Sequence, residues 1–272
     1  MDSNHLASAA AELLTRLRNR RPLIHHITNF VVMNTTANIT LCAGALPVMA
    51  HARQEVEDMT ASADALVLNL GTLWPEQVEA MFLAGGRANA KGIPIVLDPV
   101  GAGATPYRTE SAHRILREFS VAVVRGNPAE IGSLAGIDSS IRGVESVGGT
   151  ADNASIALAF ARRYHCAAAA TGPVDAITDG ERLFRVSNGH SLMAQVTGTG
   201  CMATSVIAAF SVIEKDPALA TAAALACYGL AGEKAAERSQ GPGTFQMHLF
   251  DALAALDEDT VRTSARVQQE AV

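Results

Sequence analysis

Two rhythms of apolar residues alternate along the chain. Leu6, Leu13, Leu14 and Leu17 fall near helical spacing within 5–19, ahead of Pro22. Short apolar runs then recur at Leu23 to Ile27, Leu46 to Met49, Ala65 to Leu70, Ile93 to Leu97, Val121 to Val124 and Cys166 to Thr171. Bounded by Gly, Pro, Asn or Asp, such runs read as buried strands, and the longer segments between them as helices. The expected helices cover 29–43 behind a Thr28-Asn29 cap, 53–62, 75–89, 110–119, 128–135 and 151–164, with a glycine-rich loop at 136–150. Asp179-Gly180 sits between two short runs and predicts a hairpin turn. Helices over 200–213, 217–237 and 244–257 complete the reading. Strand and helix alternate from about 23 to 171, which predicts an α/β fold with a largely parallel sheet covered on both faces. No linker or internal repeat divides residues 1–272, so a single domain is expected.

Composition narrows the class. Hydrophobic residues make up 49% and charged residues 18%, enough apolar material for a sizeable core. A net charge of -6 argues against nucleic acid or an acidic membrane as a partner. The stretch from Val186 to Ile213 carries no charged residue, but Asn188, His190 and Gln195 interrupt it, which fits a buried strand, loop and helix rather than a membrane span. The start of the chain lacks a signal-peptide layout, and the 4 scattered cysteines fit a reduced cytoplasm.

In open α/β sheets, ligands bind beyond the carboxyl ends of the strands. The residues there are polar or glycine-rich: His25 to Asn29, Met49, Asn69 to Thr72, Asp98 to Gly103, Arg125 to Glu130, and Thr171-Gly172. Val196-Thr197-Gly198-Thr199-Gly200-Cys201 opens an apolar helix. The free amides and positive dipole end of such a helix suit an anion, and a thiol in its first turn is expected at a lowered pKa. Asp98 suits Mg²⁺, which takes few protein ligands and keeps its waters, or an Asx turn before Pro99. Glu130, three residues after Asn127, reads as a capping-box carboxylate or an organiser of metal-bound water. His25 and His26 read first as packing residues. No P-loop, dinucleotide fingerprint or nucleophile elbow is present.

Seven ordered blocks carry a resemblance over nearly the whole chain: ITNFVVMNTTAN, ALPVMA, LVLNLGTL, LDPVGAGAT, VVRGNPAEI, ATGPVDAITDG and VTGTGCM. Together they resemble the hydroxyethylthiazole kinases of the ribokinase-like superfamily. The resemblance implies a three-layer α/β/α fold with a mostly parallel central sheet. It implies transfer of the ATP γ-phosphoryl group to the alcohol of hydroxyethylthiazole, a precursor of thiamine, in a homotrimer with sites between subunits. Met49, Gly198, Asn29 and Gly71 are then expected at the thiazole, Arg125 and Thr171 at ATP, and Asp98 and Glu130 at Mg²⁺. Gly198, Thr199 and Gly200 would hold the phosphoryl group, with Cys201 accepting or orienting the hydroxyl proton. Many ribokinase-like relatives carry an aspartate base where this chain has Cys201. The alternatives are a nicotinamide-nucleotide hydrate dehydratase, which is expected to carry that aspartate, a pyrimidine kinase, and a non-catalytic nucleotide- or thiazole-binding regulator.

Overall fold

Along each central strand, successive side chains leave toward opposite faces, and both faces are apolar. The computed structural model describes residues 2–137 and 153–272. In chain order it runs α1 (Ser3–Arg20), β1 (Leu23–Ile27), α2 (Met33–Ala43), β2 (Leu46–Val48), α3 (Val56–Ser62), β3 (Ala65–Asn69) and α4 (Pro75–Lys91). Then come β4 (Ile95–Asp98), α5 (Pro106–Glu118), β5 (Val123–Gly126), α6 (Pro128–Ala135), α7 (Asn153–Tyr164) and β6 (Ala167–Ala170). The hairpin β7 (Asp175–Thr178) and β8 (Arg182–Val186) leads through a 3-10 turn, Ser191–Gln195, to α8 (Thr199–Ile213). The chain finishes with α9 (Pro217–Glu237), α10 (Pro242–Ala255), α11 (Glu258–Ser264) and β9 (Val267–Ala271).

One sheet contains nine strands in the order β2-β1-β3-β4-β5-β6-β7-β8-β9. Pairings from β2 to β6 are parallel, and those from β6 to β9 are antiparallel. Val67, Val96, Val123 and Ala169 pack into a core with α1, α2, α8, α9 and α10. Leu66, Leu68, Ile95, Leu97 and Val124 turn the other way, into a core with α4, α5, α6 and α7. This is the expected three-layer arrangement. Small residues draw the layers close on one side: Ala220, Ala222, Ala223, Ala224, Ala226 and Ala231 of α9 are all buried.

The edge strand β2 carries Pro47 at its centre. Leu46 donates its amide inward to Pro22 O at 2.8 Å, so Pro47 occupies the position whose amide would face away from the sheet.

Several elements differ from the sequence reading. α2 starts at Met33 because Asn29 does not cap it; Asn29 Oδ1 instead accepts from the Val31 and Val32 amides at 3.0 and 3.2 Å in a separate turn. α5 starts at Pro106, since Thr105 caps it, accepting from Arg108 N at 3.3 Å with a proline in the first turn. The helix expected to 257 stops at Ala255; Asp257 then caps α11 by accepting from Thr260 N at 2.7 Å. β9 was not expected, because only Val267 of its residues is buried and an exposed edge strand leaves little apolar pattern. The loop expected at 136–150 lies outside the described residues from 138 onward, as does the start of the helix expected at 151.

Candidate active site

The strand ends carry a buried chain of amides and a carboxylate. Asn29 follows β1, Asn69 ends β3 and Asp98 ends β4, and all three are buried. Asn29 Nδ2 donates to Asn69 Oδ1 at 2.7 Å, and Asn69 Nδ2 donates to Asp98 Oδ2 at 2.8 Å. Thr204, one turn into α8, donates to the same Asp98 oxygen at 3.0 Å. Asn69 Oδ1 also accepts from Gly71 N at 3.0 Å, while its Nδ2 reaches Cys201 Sγ at 3.2 Å. One side chain therefore ties the turn after β3 to the thiol and the carboxylate. The close approach at Gly71 leaves no room for a Cβ, which would stand 2.7 Å from Asn29 Cγ.

This environment reverses the expectation for Cys201. The residue does sit in the first turn of α8, but burial and then the neighbouring Asp98 charge push its thiol up to about 12. At neutral pH it is a thiol, with its sulfur accepting weakly from Asn69 and Asn29. Burial likewise raises the Asp98 carboxyl above its usual range, with Arg125 opposing and Glu130 reinforcing. No Asx turn forms at Asp98, because its side chain is engaged by Asn69 and Thr204.

On the other side of Asp98 the site opens. Gly198 caps α8 at φ 91, a left-handed conformation that favours glycine, and a Cβ there would enter Val32. Among the described residues the amides of Gly200 and Cys201 have no acceptor, as befits the first turn of a 15-residue helix. Arg125 lies directly against this turn: a Cβ on Gly200 would stand 2.7 Å from Arg125 Nη2. The guanidinium donates to Thr171 Oγ1 at 2.7 Å and stands 3.8 Å from Asp98 Oδ1. Thr199 offers no free group, since its hydroxyl donates to Met193 O at 2.8 Å, its amide to Val196 O at 3.5 Å, and its carbonyl accepts from Tyr228. Arg125, Thr171, Gly172, Asp175, Gly200 and Tyr228 line part of a cavity of about 480 Å³. Its further walls come from the segment after β8, with Asn188, His190 and Met193.

The structure thus brings Asn29, Gly71, Gly198, Cys201 and Asp98 together at one end, and Arg125, Thr171 and Gly200 at the other. Met49 stands beyond edge strand β2, half-buried and outside the cavity lining. Glu130 is held by backbone: its Oε2 accepts from Asn127 N at 2.9 Å and its Oε1 from Gly101 N at 2.8 Å. Among the described residues no three His, Cys, Asp or Glu side chains form a metal cage. The donor set nonetheless suits a cation held through water. Asp98 Oδ1 is buried without a hydrogen-bond partner, and Glu130 adds a second fixed charge that the Asp98 carboxyl feels. His25 bonds Thr60 Oγ1 and Ala50 O, and burial lowers His26 to about 3; neither faces a carboxylate.

Asn69 enters the sequence reading only within the strand-end stretch Asn69 to Thr72, and Thr204 and Asp175 are not singled out there. Asn69 had a signal, as the polar terminus of an otherwise apolar run. Thr204 had a weaker one, three residues after Cys201 and so on the same helical face. Asp175 had none beyond its place beside a turn.

Layers in this order, around a sheet that turns antiparallel only at its far strands, define a ribokinase-like α/β protein. The charge pattern at its strand ends suits phosphate chemistry. Comparison with known proteins narrows this further. The model of the hydroxyethylthiazole kinase family matches residues 14–259. The hydroxyethylthiazole kinase of Chloroflexus aggregans is 56% identical over 257 residues, 94% of this chain and 92% of that protein. The solved structure of the hydroxyethylthiazole kinase protein from Pyrococcus horikoshii OT3 has a TM-score of 0.89 at 45% identity, covering 96% of this chain and 99% of the other. The pyridoxal kinase of Staphylococcus aureus in complex with ADP shares the fold, with a TM-score of 0.64 at 15% identity, over 92% and 99% of the two chains. The chain belongs to the hydroxyethylthiazole kinase family.

Proposed function

We propose that the protein transfers the γ-phosphoryl group of ATP to the primary alcohol of hydroxyethylthiazole, giving the thiazole phosphate used in thiamine phosphate synthesis. The observation that carries this reading is the unpaired first turn of α8 with the Arg125 guanidinium packed onto Gly200, at the mouth of a cavity large enough for a nucleotide. The Gly200 and Cys201 amides and Arg125 stabilise charge on the transferring group, in a reaction where positioning and charge stabilisation dominate. The hydroxyl oxygen bonds to the γ-phosphorus as the bond to the bridging oxygen breaks, and ADP leaves with that electron pair. With its thiol at about 12, Cys201 orients the hydroxyl rather than holding the proton. The proton passes to an oxygen of the transferred phosphoryl group, as a loose transition state permits.

Asp98 and Glu130 would hold Mg²⁺ through its water shell. The ion would supply neutralisation of phosphate charge. Asn29, Gly71 and Gly198 form the acceptor side in this reading. Met49 joins them in the same reading, in which a neighbouring subunit completes the site, as in a homotrimer with sites between subunits. The exposed apolar side chains Phe30 and Val31, beside Asn29, support such an assembly. Among the described residues no helix is long and apolar enough to cross a membrane. A cytoplasmic location goes with the reading.

The test is Mg-ATP-dependent product formation with hydroxyethylthiazole and hydroxymethylpyrimidine side by side. Phosphorylation of the thiazole alcohol with little or none of the pyrimidine is expected. The reverse preference would replace this reading with a pyrimidine kinase, and ATP binding without turnover of either would replace it with a regulator.

A further inference from the structure

The strands reach the crevice in a fixed order, and that order serves as a distance scale. Asp98 ends β4, Arg125 lies at the end of β5, Thr171 follows β6, Asp175 opens the antiparallel β7, and Asn188 follows β8. All five stand at the same edge of the sheet, because β7 starts at the end where β6 finishes and β8 returns to it. At about 4.8 Å per strand, Asp175 lies roughly 14 Å along that edge from Asp98 and about 10 Å from Arg125. That separation suits a sugar attached to a triphosphate whose terminal phosphoryl group lies at the Asp98 end.

Asp175 is chemically odd for a cavity that holds polyphosphate. Only 9% of it is exposed, and it forms part of the cavity wall. Its Oδ1 accepts from Gly172 N at 2.9 Å. Its Oδ2 has no hydrogen-bond partner among the described residues, and no basic side chain forms an ion pair with the carboxylate there. Arg125 acts on it only at longer range. Burial raises its pKa to about 6, which leaves it ionised at neutral pH. An ionised carboxylate accepts hydrogen bonds and donates none. It repels phosphate oxygens, so its ligand must present a donor. The acceptor alcohol is at the far end, beside Cys201, whereas a ribose presents two hydroxyls at the required distance. Met193, Ala194 and Leu225 add apolar surface to the wall of the same cavity, suited to a base.

We propose that Asp175 accepts a hydrogen bond from a ribose hydroxyl of the nucleotide donor and makes the site select ribonucleotides over deoxyribonucleotides. The inference rests on the reading that ATP is the donor. The test compares kcat/KM for ATP, 2′-deoxy-ATP and 3′-deoxy-ATP, with hydroxyethylthiazole as acceptor, in the unmodified protein and in Asp175→Ala. A hydrogen bond to a charged acceptor predicts a loss of about ten- to a hundredfold with at least one deoxy form, mostly in KM. In Asp175→Ala that discrimination collapses to near unity. Asp175→Asn, which keeps an acceptor for Gly172, serves if the alanine variant does not fold, and its discrimination is reduced. Equal use of all three nucleotides by the unmodified protein overturns the proposal, as does full discrimination retained in a folded variant. Failure of the unmodified protein to use ATP at all would instead overturn the kinase reading.

Discussion

The two ends of the crevice are built on opposite principles. At the β3–β4 end every hydrogen-bonding group of Asn69 is matched within the protein, to Asn29, Gly71, Asp98 and Cys201. From the outer oxygen of Asp98 toward β8 the groups are left open: Asp98 Oδ1 facing Arg125, the Gly200 and Cys201 amides, Arg125 Nε and one Asp175 oxygen. A satisfied buried network fixes positions, whereas open polar groups are costly until a ligand engages them. The first end is therefore suited to holding geometry and the second to being filled.

The largest effect should come from filling the open end with protein. Gly200→Val drives a branched side chain into the Arg125 guanidinium and crowds the helix amides. A loss of about a hundred- to a thousandfold in kcat/KM is expected, with the circular dichroism spectrum retained. Near-normal turnover would remove α8 from the chemistry. Breaking the closed end should show first as lost stability. Asn69→Ala removes one of the two donors to Asp98 Oδ2 and leaves the Asn29 Nδ2 and Gly71 amides without their oxygen acceptor, and a loss of about 3 kcal/mol in urea unfolding is expected. A loss below about 1 kcal/mol would mean that the network is not what fixes this end.

The open end should gain stability when its anion is removed. The Asp175 pKa rises from 3.8 to about 6 on folding, so between those values the folded protein holds a proton that the unfolded chain has lost. Its contribution is present below about pH 4 and is lost as pH rises through 6, which amounts to about 2–3 kcal/mol at neutral pH. Asp175→Asn should therefore be more stable than the unmodified protein at pH 8, by up to that amount, and no more stable at pH 4. Equal differences at both pH values would show that the carboxylate is not desolvated. The smallest effect is expected at Cys201. In the orienting role proposed for it, its replacement by alanine should cost less than about a hundredfold in kcat. A loss of ten-thousandfold in a folded protein would restore it as the base.

The same contrast explains what could be read from the sequence. The central strands and most helices were legible because buried apolar runs and proline or glycine stops are local signals. The start of α8 was legible because Gly198, Thr199 and Gly200 are contiguous. Asn29 was misread as a cap because its partner, Asn69, lies forty residues away. The thiol of Cys201 was expected to be acidic because the helix start is visible in the sequence, whereas the burial and the Asp98 charge that dominate are not. Glu130 carried both readings in the sequence, and its engagement by Asn127 and Gly101 is the backbone clamp. β9 escaped because it is an exposed edge strand whose polar residues need only one neighbour.

Pro47 has a consequence for the molecule in a crowded solution. A sheet of nine strands presents two rims that could recruit the backbone of another molecule. At the β2 rim the position that would offer a hydrogen to an incoming strand belongs to an imino acid, and the strand is only three residues long. Fibre-like growth by strand addition is blocked there at the level of the backbone. Any association of copies on that side of the molecule must be written in side chains, where its stoichiometry can be specified.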